Sequence, residues 1–99
     1  MGTNGELMAL GFTKDQLNEI EEGRKSGIDT SVYEKVEYLA IQMRQIRLGL
    51  TEGLNVSFYA NPEYDWFQME EIRLGLKAGL NVTSYASVNI PSILLLRLL

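Results

Sequence analysis

The chain has 99 residues, a formal net charge of -4, and neither cysteine nor histidine. That leaves room for one small domain, and excludes a disulfide framework, thiolate chemistry and imidazole acid–base or metal chemistry. An acidic balance with Lys and Arg scattered among acids also argues against a nucleic-acid footprint, so no nucleic acid is expected as a partner.

Residues 1–11 read as a flexible N-terminal leader without the basic start and apolar run of a signal peptide. Residues 12–99 read as a single α-helical repeat domain. Its landmark is Gln68-Met69-Glu70-Glu71-Ile72-Arg73-Leu74-Gly75-Leu76, nearly repeated as Gln42-Met43-Arg44-Gln45-Ile46-Arg47-Leu48-Gly49-Leu50. A worn copy runs from Gln16 to Asp29. The three glutamines lie 26 residues apart, a spacing typical of stacked repeats. The boundaries are about 12–37, 38–63 and 64–89, followed by a terminal apolar helix over 90–99.

In the first repeat, Thr13 and Gln16 form a capping box, and Phe12 with Leu17 forms a hydrophobic staple. The apolar stripe Leu17, Ile20 predicts an amphipathic helix that stops at Gly27. No proline follows Asp29-Thr30-Ser31-Val32-Tyr33, so a second helix is expected to run on through Glu34 to Glu37. In the middle repeat Leu39 stands at the cap position. The expectation there is a frayed or uncapped start, or a helix continuous from about Val32. Its stripe is Met43, Ile46, Leu50, and Gly53 ends it. The third repeat restores the cap with Asp65 and Gln68, carries Met69, Ile72 and Leu76, and stops at Gly79.

After each long helix comes a short element, Asn55 to Ala60 or Asn81 to Ala86. An N-cap residue predicts a short helix, while Val and Thr leave an extended segment as the alternative. A second glycine recurs inside each long helix at Gly23, Gly49 and Gly75, at a cost of about 1 kcal/mol relative to alanine. Close approach of another backbone is the expected reason, with a hinge or ligand contact as the alternative. Tyr33, Tyr59 and Tyr85 align and read as scaffold.

A second stripe, Ile41 and Leu48 with Phe67 and Leu74, aligns with Asp15 and Glu22 of the first copy. Apolar inner copies and an acidic first copy are what a stack with a solvent-facing cap would show. In the last stretch the apolar run from Ile93 to Leu99 is too short to cross a bilayer and is interrupted by Arg97. Its outward leucines Leu95, Leu96, Leu98 and Leu99 are the candidate partner contacts, and a homodimer through this helix is the simplest arrangement.

The fold class expected is all-α: a small solenoid-like stack of three helix–short-helix repeats with a degenerate C-terminal helix. No catalytic, cofactor or metal constellation is expected. The words Gln-Met-x-x-Ile-Arg-Leu-Gly-Leu-x-x-Gly-Leu-Asn-Val, followed by Tyr-Ala-Asn-Pro-x-Tyr-Asp-Trp, resemble a short repeat of uncharacterised bacterial proteins. The resemblance covers Gln42 to Ala86 well and Phe12 to Tyr33 loosely. It implies a setting on conjugative elements or phage-like islands, and no activity. The expected function is a protein–protein interaction or scaffold module, cytoplasmic and self-associating. The alternative is an accessory factor of a mobile element acting on nucleic-acid machinery, for example as an acidic decoy.

Overall fold

A computed structural model describes residues 3–83 of the chain. Among them are four α-helices and no strand: α1 Asn4–Ala9, α2 Lys14–Lys25, α3 Ala40–Thr51 and α4 Trp66–Lys77. Helix α1 packs on α2, α2 on α3, and α3 on α4.

Part of the expected leader is therefore helical. Thr3 caps α1 by accepting from the Glu6 N–H at 3.2 Å, and Leu7 is buried with Phe12 and Leu17. An apolar residue that can be covered by a neighbouring helix is enough to order so short a turn.

The capping boxes form as the residues dictate. The Thr13 N–H donates to Gln16 Oε1 at 2.7 Å and the Gln16 N–H to Thr13 Oγ1 at 3.2 Å. Asp65 and Gln68 do the same at 2.9 and 2.7 Å. Helix α3 keeps half the box. The Leu39 N–H donates to Gln42 Oε1 at 2.7 Å, but Leu39 has no side-chain oxygen to offer in return. The uncapped start is thus observed, and a helix continuous from Val32 is not.

Each long helix ends in the same lock. Gly27, Gly53 and Gly79 adopt φ of 76°, 73° and 76°, the left-handed region that favours glycine. The residue after each, Ile28, Leu54 or Leu80, donates its N–H back to Gly23, Gly49 or Gly75.

The short element resolves as a single 3-10 turn, Thr30–Val32 in the first copy and Val56–Phe58 in the second. Asp29 and Asn55 cap these turns, accepting from the Ser31 and Ser57 N–H groups at 3.1 and 3.2 Å. The expected helix through Glu34 to Glu37 does not form. Tyr33 breaks out of the turn at φ −125° and points inward instead.

That inward tyrosine explains the helical glycines. The Tyr33 hydroxyl donates to the Glu19 carbonyl at 2.7 Å, and the Tyr59 hydroxyl to the Gln45 carbonyl at 2.6 Å. A Cβ on Gly23 or Gly49 would collide with that hydroxyl and also meet Thr30 or Val56. Close approach is confirmed at these two glycines, but the body approaching is a side chain rather than a backbone. Tyr85, the counterpart for Gly75, lies outside the described residues.

Candidate interaction surface

Consecutive long helices are joined by polar groups that recur 26 residues apart. The Gln16 amide, whose oxygen already serves the cap of α2, donates to the Val36 and Tyr38 carbonyls at 3.1 and 2.5 Å. Gln42 donates to the Pro62 and Tyr64 carbonyls at 3.0 and 2.5 Å. So one side chain starts its own helix and also holds the loop that leads into the next one. Each amide makes three such bonds, each worth about 1 kcal/mol net.

Beside this row lies a charged one. Glu19 of α2 is 3% exposed and accepts from two arginines of α3: Arg44 Nε to Oε1 at 3.0 Å and Arg47 Nε to Oε2 at 2.9 Å. At the equivalent place Gln45 of α3 accepts from Arg73 Nε of α4 at 2.9 Å. The Arg73 Nη1 continues to Glu52 at 2.7 Å, and Lys77 Nζ closes on the other oxygen at 2.6 Å. The bond from Lys77, and after it those from Arg73, outweigh burial and hold the Glu52 carboxyl below its ordinary value.

The expected packing stripe is covered only in part. Ile41 and Leu74 are exposed, and Leu48 and Phe67 are only partly buried. The row facing the neighbour runs through Glu19 and Gln45, whose partners Arg44, Arg47 and Arg73 reach back across the joint. The stripe flanks that row: Ile41 and Leu48 lie one turn before and one turn after Gln45 on the same face of α3, at the edge of the joint with α4. Ile41 is 44% and Trp66 41% exposed. Together with Arg44 and Gln45 they line an open groove of about 380 Å³. Trp66 is steadied by Phe67, edge on, with ring centroids 5.2 Å apart.

The candidate contacts Leu95, Leu96, Leu98 and Leu99, and the dimer built on them, lie outside the described residues. Among the described residues no group of acids could hold a metal ion, and no helix is long and apolar enough to cross a membrane. The sequence reading missed the groove, the arginine clamp and the second task of the glutamines. One signal was present: Arg47 lies 28 residues after Glu19, and Arg73 lies 28 after Gln45. No known family, no curated protein and no solved structure matches the chain.

Proposed function

We propose that the chain is a protein–protein interaction or scaffold module, built as a small solenoid-like stack of helical repeats and working in the cytoplasm. The recurrence of the same glutamine and arginine bonds at both helix–helix joints supports the stack. The observation that carries the interaction reading is the groove of Ile41 and Trp66. A tryptophan and an isoleucine held in water beside an arginine form an anchor site of the kind that partner proteins cover.

The test is a photo-crosslinking residue at Ile41, with irradiation in the native host. A discrete adduct that disappears with Trp66→Asp is expected. A folded protein that gives no adduct sinks the reading. Self-association is part of the proposal and is read by light scattering over a concentration series.

The second reading, a mobile-element factor acting as an acidic decoy, needs free acids gathered on one face. Glu19, Glu34 and Glu52 are instead tied to arginine or lysine, which favours the first reading. The bacterial and mobile-element setting rests on the sequence resemblance alone.

A further inference from the structure

The groove of Ile41 and Trp66 carries a charge as well as apolar walls. Glu19 holds both Arg44 and Arg47, so one carboxylate faces two guanidinium groups and one positive charge is left over. Arg47 is the shielded member. Arg44 is exposed and brings the surplus to the rim of the groove. Its only ion pair among the described residues is the Nε bond to Glu19, which leaves its Nη groups for another acceptor. The Gln45 amide oxygen is already taken by Arg73. The groove therefore takes a large apolar group with a carboxylate beside it.

Helix α1 offers that pair. Leu10, at its C-cap, is 70% exposed, more than any other large apolar residue described. Its N–H donates to the Glu6 carbonyl, so Glu6 lies one turn back on the same face. Glu6 is exposed and has no ion pair among the described residues. In the groove, Arg44 lies three residues after Ile41, so cation and apolar wall are one turn apart there as well. Helix α1 packs on α2, whereas the groove lies between α3 and α4, so no chain fills its own groove.

We infer that Leu10 of a second copy enters the groove between Ile41 and Trp66, with its Glu6 carboxylate on the Arg44 guanidinium. The contact joins unlike surfaces, so copies add head to tail. This rests on the chain being an interaction module and names its partner as the same chain. One leucine and one exposed ion pair make a weak contact, with a Kd of about 0.1–1 mM.

The test is sedimentation velocity of the full chain up to about 1 mM. The parent should form dimers and longer species. Leu10→Asp and Trp66→Asp should each be monomeric, because the first lacks the plug and the second a wall of the groove. An equimolar mixture of the two should recover a dimer and nothing larger, since each variant keeps one working surface. Ile41→Asp replaces Trp66→Asp if the latter loses helical circular dichroism. Glu6→Gln and Arg44→Gln should each weaken the parent's assembly by about fivefold, and both together no more than either alone. Lys35→Gln, which removes an exposed cation elsewhere, should change nothing. A parent that stays monomeric, a mixture that stays monomeric, or assembly that survives Leu10→Asp overturns the inference. The crosslink at Ile41 separates the two readings. An adduct of twice the chain's mass supports self-docking, while an adduct with a different protein overturns it and leaves the interaction reading in place.

Discussion

The Tyr59 hydroxyl fills the space that a Cβ on residue 49 would need, and it uses that space to reach the Gln45 carbonyl at 2.6 Å. Val56 Cγ1 closes the same space from the side, 2.7 Å from that Cβ position. Helix propensity alone would make Gly49→Ala stabilising by about 1 kcal/mol. Overpacking at a fixed site works against it and dominates here. Gly49→Ala should therefore lower stability by about 2–3 kcal/mol, measured by urea denaturation. A variant as stable as the parent would show that Tyr59 can step aside freely.

The glutamine bridge predicts a different loss. Gln42→Ala leaves the Leu39 N–H and the Pro62 and Tyr64 carbonyls without this partner, and should cost about 2–3 kcal/mol. Gln42→Glu should cost more at neutral pH, because a carboxylate would face the two carbonyls, and should recover as acid protonates it. Chemical denaturation at pH 7 and pH 4 separates the two variants.

The two arginines on Glu19 are not equal. Arg47 is 18% exposed and Arg44 56% exposed. Solvent screens Arg44, so its pair is worth at most about 1 kcal/mol. Arg47→Ala leaves a buried carboxylate short of its better-shielded partner and should cost about 2–3 kcal/mol. Comparable losses for Arg44→Ala and Arg47→Ala would contradict this ranking.

Alkali should loosen the fold through Tyr33. Burial is the main cause that pushes its phenol up to about 12 from 10.0. A raised phenol favours the neutral form in the native state. Its contribution is then complete below pH 10 and is lost as pH rises toward 12. Thermal melts between pH 8 and pH 12 should show a decline that begins near pH 10 and is shallower in Tyr33→Phe. Equal slopes would remove Tyr33 from the explanation.

Much of the helical layout was legible because it depends on neighbours in sequence. Thr13 with Gln16, Asp65 with Gln68, and the glycines at 27, 53 and 79 act over three to five residues, so spacing alone reveals them. Two kinds of feature escaped. Gly49 was read as a gap for backbone because a one-dimensional pattern shows that something passes, not what passes. Ile41 and Leu74 read as buried packing residues, because apolar character does not say how much of a face a neighbour covers. Spacing within one helix does not reveal the task of Arg47 either, because its carboxylate partner, Glu19, sits one helix back. The Ile41–Trp66 groove needed the relative placement of two helices, which periodicity within either one cannot supply.

The glutamine bridges run one way only. Gln16 and Gln42 each grip a loop that lies downstream, 20 to 22 residues on, and the donor is always the earlier helix. Each of these two side chains thus ties the start of one helix to the approach of the next. Loss of Gln16 or Gln42 would therefore loosen the entry to the helix that follows as well as the start of its own.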